Sequence, residues 1–480
     1  MAKLVAIGDS LTQGFQSGAI FKTDWSFPAM IARSMGLNIP DDFPVPTFEG
    51  SGLPLNIEVA LHSMKKQLGS EINFTEWLIQ FPSLLMNFMD NVEDLYERGA
   101  GSQPIHYDGV YHNLAVWGFR VADSFQLTSN YSQTEIDRQE GWFKDDFLGL
   151  PAGAMYRTAQ KVLNPSLAPE RMDWTQLTNL KKIVDDEQGE LDNLIVWLGS
   201  NNCLGTVLEL TLNDMAEEDF LSKDNHPVGR REYNLTDPTI FRQDFQRVIQ
   251  YIEQIIPDYT QVFVATIPHV TIPPVTTGIP PFDGKYFQYY GRFFSQESNF
   301  DPRLQKSITG EEAKKIDRRI DVFNQIIQEL ADSQPRWHLV DLCKILDELA
   351  VKRNECIDYP ELPLKNYYQK RGMPHHPLLQ LSPIPSILSL RLEQGKRVAG
   401  GLFSLDGIHP STIGYGMIAE AFLQVMQDKG VVNANPHQLN WDEIIAHDTL
   451  LQTSPILWEK IFEAARENAT LWDILLNTIY

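Results

Sequence analysis

Ser10 lies in the pentapeptide Gly8-Asp9-Ser10-Leu11-Thr12, directly after the apolar run Leu4–Ile7. A hydroxyl is a poor nucleophile until a base removes its proton, and a base works best when a third group fixes its tautomer. Two such groups stand together near the other end of the chain, in Asp406-Gly407-Ile408-His409-Pro410. With Asp three residues before His on a loop, the carboxylate can fold back onto Nδ1–H and leave Nε2 facing a serine. Charge developing on a carbonyl oxygen then needs hydrogen-bond donors. Ser10 offers its own N–H if it opens a helix, where unpaired amides and the dipole favour negative charge. Gly118 closes Asn113-Leu114-Ala115-Val116-Trp117-Gly118, and a glycine lets its amide approach a ligand without interference from Cβ. Asn201, in Gly199-Ser200-Asn201-Asn202, offers a side-chain amide. Together these groups describe two-step acyl transfer from an ester. Singly, each motif would serve equally well as a helix cap, an Asx turn or a strand-ending turn. It is their joint occurrence, at strand ends and in the last loop of the core, that points to one pocket at the carboxyl edge of a sheet.

At these residues the chain resembles the SGNH hydrolases, also called GDSL lipases/esterases. Gly8 to Leu11 is similar to that family's first block, Asn113 to Gly118 to its second, Gly199 to Asn202 to its third and Asp406 to His409 to its fifth. The resemblance implies Ser10 as nucleophile, His409 as base and Asp406 as its orienting partner, with Ser10, Gly118 and Asn201 as the oxyanion hole. It also implies a flavodoxin-like three-layer α/β/α fold, hydrolysis of carboxylic esters, and no metal or organic cofactor. Two departures bear on the shape of the pocket. Asn202 stands where the family more often has Asp, and Trp117-Gly118-Phe119 is bulkier than the usual surroundings of that glycine. The resemblance covers the core strands and their loops, about half the chain. An acyltransferase, with an alcohol or sugar in place of water, would use the same residues. A binding protein without chemistry would have no physical reason to keep Ser10, Asp406, His409 and Asn201 together.

The elements that must position these groups are legible as five apolar runs: Leu4–Ile7, His112–Val116, Leu194–Leu198, Val262–Ile267 and His338–Asp341. Each has the length and β-branched or aliphatic character of a buried strand. Apolar residues at three- and four-residue spacing predict helices over Phe241–Ile256, ending at Pro257, and over Ile316–Leu330. Alternation of this kind predicts an α/β fold with a mostly parallel, five-stranded sheet. One hydrolase-type domain is expected over residues 1–430. The stretches 16–110, 124–190, 270–310 and 343–400 exceed a simple crossover and predict folded insertions. Prolines 273, 274, 280 and 281 followed by seven aromatic residues up to Phe294 suggest a turn-rich surface segment. A helix is expected from Gly416 to about Gln427. A helical extension over 431–480 follows, with amphipathic patterns at Trp441–Ile445, Ile456–Ala465 and Trp472–Ile479.

Bulk properties narrow the partners. Forty Lys and Arg against 63 Asp and Glu give a net charge of −23, which repels phosphate backbones and anionic lipid surfaces. Nucleic acid is therefore not an expected partner, whereas a small-molecule or lipid ester is. Three scattered cysteines, Cys203, Cys343 and Cys356, read as reduced thiols, and the start of the chain leads into a strand without a signal-peptide core. No apolar stretch reaches the ~20 residues of a membrane span, so a cytoplasmic location without an integral membrane segment is expected. Among other groups, His375-His376 fits a solvated loop better than a metal site, and His269 would point toward the edge of the pocket. Aromatic and apolar residues including Trp77, Phe81, Phe88 and Met89 fit an insertion core better than an acyl channel.

Overall fold

The run Ala2–Gly8 is apolar on both sides, with Val5 and Ile7 alternating against Leu4 and Ala6, and a strand's period of two sends these pairs to opposite faces. Both faces must therefore be covered. A computed structural model describes residues 2–68, 74–139, 150–215, 231–351, 353–354 and 358–461. Its central sheet is four-stranded and parallel: β1 (Ala2–Gly8), β2 (Leu191–Trp197), β3 (Gln261–Ala265) and β4 (Trp337–Val340), side by side in that order. Ala6, Ile195, Phe263 and His338 form one row across it.

Seven helices position the site: α1 (Ser10–Gln13), α2 (Phe27–Ser34), α3 (Gln176–Asp186), α4 (Pro238–Ile255), α5 (Gly310–Asp332), α6 (Leu342–Leu349) and α7 (Thr412–Asp428). On one face of the sheet Val5, Ile7, Val196 and Val264 pack with Leu180 of α3, Phe245 and Val248 of α4 and Phe323 of α5. On the other, Leu4, Ala6, Trp197 and Phe263 pack with Phe27 and Met30 of α2 and Phe422 and Leu423 of α7. Each large side chain buried in this way contributes roughly 2 kcal/mol. The helices start where their sequences say they should. Asp237 accepts the N–H of Thr239 and Ile240 ahead of α4, and Thr309 and Glu312 form a reciprocal capping box ahead of α5.

Four of the five expected strands are ladder strands, and the fifth differs. His112–Val116 runs beside β1, with Ala6 N–H donating to His112 O at 2.8 Å and Leu114 N–H to Ala6 O at 2.9 Å, yet it forms only one parallel bridge, Ala6 to Asn113. Asn113 is the reason. Its Oδ1 accepts the Ala115 N–H, a local bond that turns the backbone, and the amides of His112 and Asn113 are both drawn to Pro44 O. The aromatic segment after Pro274 is also more regular than its prolines suggest. Thr276–Phe282 and Phe287–Arg292 form an antiparallel hairpin extended by Ile308–Thr309, with Pro280 and Pro281 accommodated at an irregularity between Ile279 and Phe282. Helix α7 starts before Gly416, because Ser411 Oγ caps it by accepting the Gly414 N–H. Two glycines sit inside it where space is short: a Cβ on Gly414 would lie 2.4 Å from Leu402 O, and one on Gly416 would lie 2.9 Å from the Trp441 ring.

Beyond α7, helices at Trp441–His447 and Thr449–Gln452 pack back onto the body, with Trp441 and Ile444 in one core and Trp458 and Ile461 in the other. The pattern at Trp472–Ile479, and Ile456–Ala465 past residue 461, lies outside the described residues, as do Cys356 and the side chain of Trp77. No helix among the described residues is long and apolar enough to cross a membrane.

Candidate active site

Strand β1 ends at Gly8, Asp9 caps the short helix α1 by accepting the Leu11 N–H at 3.1 Å, and Ser10 is the first helical residue. Its amide consequently has no intrahelical acceptor. A Cβ on Gly8 would lie 2.1 Å from Thr12 Oγ1 and 2.8 Å from Trp197 O, so only glycine lets the strand pass into so tight a turn.

His409 and Asp406 come from the loop before α7. Asp406 is 1% exposed and accepts four bonds: the Ile408 and His409 amides on Oδ1 at 2.9 Å each, and the Gly18 amide and His409 Nδ1, both at 3.0 Å, on Oδ2. Burial works against ionisation of such a carboxyl, but the His409 ring and the two loop amides outweigh it and hold Asp406 below the usual carboxylate range. The Phe15 ring packs against the imidazole with 4.5 Å between centroids. The bond from Nδ1 to Asp406 orients the imidazole, and His409 lines the cleft.

Ser10 and His409 line the same two clefts. The first, of about 910 Å³, is almost wholly apolar, walled by Leu204, Val270, Leu346, Phe403, Met417 and Ile418 among others. The second, of about 1800 Å³, is more polar and is bordered by Gly118, Asn201, Trp117, Arg120 and Arg231. Ser10, Gly118, Asn201 and His409 thus border one cleft, with Asp406 bonded to the histidine ring. Gly118 has φ +76°, and a Cβ there would lie 2.9 Å from Met155 Sδ, so both backbone and space select glycine. Its N–H has no partner among the described residues. Asn201 Nδ2 donates one hydrogen to Phe119 O at 2.9 Å, which fixes the amide and leaves its second hydrogen. Asn202, by contrast, is structural: its Oδ1 accepts the Val121 amide and its Nδ2 reaches Thr236.

Several residues that sequence spacing does not single out hold this arrangement. Gln176 Nε2 donates to Gly8 O and Leu114 O, tying the Ser10 turn to the segment that leads to Gly118. Gln13 Oε1 accepts the Trp117 N–H at 2.9 Å, and Arg231 donates to Gly118 O and pairs with Asp123 at 2.6 Å. No motif in the sequence marks them. Asp9, the cap of α1, carries no sign in the sequence of being a titrating group. Burial pushes its carboxyl up to about 7, against the Leu11 and Asp9 amide bonds that lower it, and its Oδ2 has no hydrogen-bond partner among the described residues.

His269 does not line either cleft. Its Nδ1 lies 2.8 Å from Asp347 Oδ1 and its Nε2 3.2 Å from Asp321 Oδ1. Burial opposes its protonation, but the Asp347 and Cys343 bonds prevail and push it up to about 11. His376 is buried, stacked 3.7 Å from the Tyr368 ring and 3.3 Å from Glu420, while His375 is exposed. The two project apart, which fits a packing role for His376. Cys203 and Cys343 are buried free thiols. Compared with family models, with curated proteins and with solved structures, the chain matches none of them.

Proposed function

We propose that this chain is a serine hydrolase of carboxylic esters, of the SGNH/GDSL kind, with Ser10 as nucleophile, His409 as base and Asp406 as orienting carboxylate. The observation that carries this reading is the 3.0 Å contact between Asp406 Oδ2 and His409 Nδ1, behind an imidazole that shares its cleft with Ser10. In the first step His409 Nε2 takes the Ser10 proton, and Oγ bonds to the ester carbonyl carbon as the carbonyl π pair moves to oxygen. Ser10 N–H, Gly118 N–H and Asn201 Nδ2 would hold that oxyanion, each donor contributing on the order of 3 kcal/mol. Collapse expels the alcohol, protonated by His409, and a water repeats the sequence to release the acid.

The two clefts meeting at Ser10 support an amphipathic ester, with its acyl chain in the apolar cleft and its alcohol portion on the side of Arg120 and Arg231. Counting His112–Val116 as a strand beside β1 would give a five-stranded sheet in the order 2-1-3-4-5, the flavodoxin-like arrangement of the resemblance. A fluorophosphonate probe followed by peptide mapping tests the assignment. Label on Ser10, lost in Ser10→Ala together with esterase activity, is the expected outcome. Full activity in Ser10→Ala sinks the reading.

A further inference from the structure

A second cluster lies behind the wall of the apolar cleft, on residues the ester reading does not use. Pro268 and Val270 line that cleft, while His269 between them turns away from it. Leu342 and Leu346 of α6 line it too, while Cys343 and Asp347, four apart and so on one face of that helix, turn toward His269. His269 Nδ1, Cys343 Sγ and one Asp347 carboxylate oxygen all lie within 4.8 Å of one another. His269 and Cys343 are buried, and Asp347 is 42% exposed at its side chain.

We infer that His269, Cys343 and Asp347 form a zinc-class metal site that staples α6 to the end of β3. Imidazole, thiolate and carboxylate are the ligand set that divalent zinc accepts, with a fourth position open on the exposed side of Asp347. Bonds of ~2.0 Å to nitrogen and ~2.3 Å to sulfur put tetrahedral ligands about 3.5 Å apart. The Cys343 Sγ to His269 Nδ1 distance is 3.6 Å. The Nδ1 to Asp347 Oδ1 distance of 2.8 Å would open by about half an ångström, a small rotation of a half-exposed side chain. The other ring nitrogen is also placed as a ligating histidine requires. Nε2 faces Asp321 Oδ1 at 3.2 Å, so that carboxylate would take the Nε2–H and fix the tautomer that frees Nδ1 for the ion. Arg353 approaches Asp347 only to 3.9 Å and is engaged by Asp317 and Thr271. Binding releases the Nδ1 and thiol protons to solvent, with no change of oxidation state.

Metal-stripped full-length protein titrated with Co(II) tests the site. The expected result is one cobalt per chain with a sulfur-to-cobalt charge-transfer band, bleached by zinc, absent in Cys343→Ala and retained in Cys356→Ser. Asp347→Asn, a change at a half-exposed side chain, should weaken cobalt binding at least about 10-fold, and Asp321→Asn by a similar factor. No such band in the wild-type chain, a band that survives Cys343→Ala, or unchanged affinity in Asp347→Asn overturns the site. His269 would then be an imidazolium bracketed by two carboxylates. Fluorophosphonate labelling of Ser10 is read separately and does not depend on either result.

Discussion

Gly18 donates its backbone N–H to Asp406 Oδ2 at 3.0 Å, across a separation of 388 residues. The same oxygen receives His409 Nδ1, so one carboxylate both orients the His409 ring and anchors the loop that follows Ser10. Asp406→Asn should therefore lower kcat by about 10⁴-fold, because the amide imposes the wrong tautomer on His409. Asp406→Ala should lose activity comparably and also several kcal/mol of stability, since the Gly18, Ile408 and His409 amides are left buried without acceptors. His409→Ala should match the activity loss with a much smaller fall in Tm. Equal falls in Tm for the two alanine variants would contradict the anchoring role.

Asn201 gives the cleanest test of the proposed oxyanion hole, because its amide is already held by Phe119 O without substrate. Asn201→Ala should reduce kcat by about 10²- to 10³-fold with little change in KM. A rise in KM at constant kcat would instead make it a ground-state contact.

Asp9 predicts a pH-dependent stability. Burial pushes its carboxyl in the folded chain up to about 7, from the ordinary 3.8 of an exposed Asp. The folded state binds the extra proton between these two values, so this group's contribution falls as pH rises through that window and is lost above it. Asp9→Asn cannot titrate and keeps an acceptor for the Leu11 amide. Its Tm should gain on the wild type from about pH 4 to about pH 7 and then level off, an effect of up to roughly 4 kcal/mol. A constant Tm difference across that range would show that Asp9 is ionised throughout.

The apolar cleft predicts chain-length selectivity. Ile418, half-buried on α7, faces the same space as Ser10 and His409. Ile418→Trp should shift the optimum of a p-nitrophenyl ester series toward shorter acyl groups while acetyl ester turnover is kept within a few-fold. A profile that loses all lengths equally would place the acyl chain elsewhere.

The strands and helices of the sheet were readable because Leu4–Ile7, Leu194–Leu198 and Val262–Ile267 are buried on both faces and so leave continuous apolar runs. His112–Val116 ends in a similar apolar stretch, Leu114–Val116, but departs from the ladder because one side chain, Asn113, rebinds its own backbone. At the site, the residues whose chemistry is unusual, Ser10, Asp406 and His409, carry a local signature. Gln176, Gln13 and Arg231 do not, since their contribution is a bond to a distant main chain. His269 shows the same limit from the other side. Its place after β3 was legible, but its direction, away from the cleft and toward Asp347, depends on α6, some eighty positions on.

The bond from Gly18 to Asp406 has a temporal meaning for a chain made from one end. The Ser10 hydroxyl leaves the ribosome about four hundred residues ahead of the imidazole that would arm it. Until then a nascent chain would carry the proposed nucleophile without its base, and a product terminated before the loop of Asp406 and His409 would be inert however well its sheet had formed.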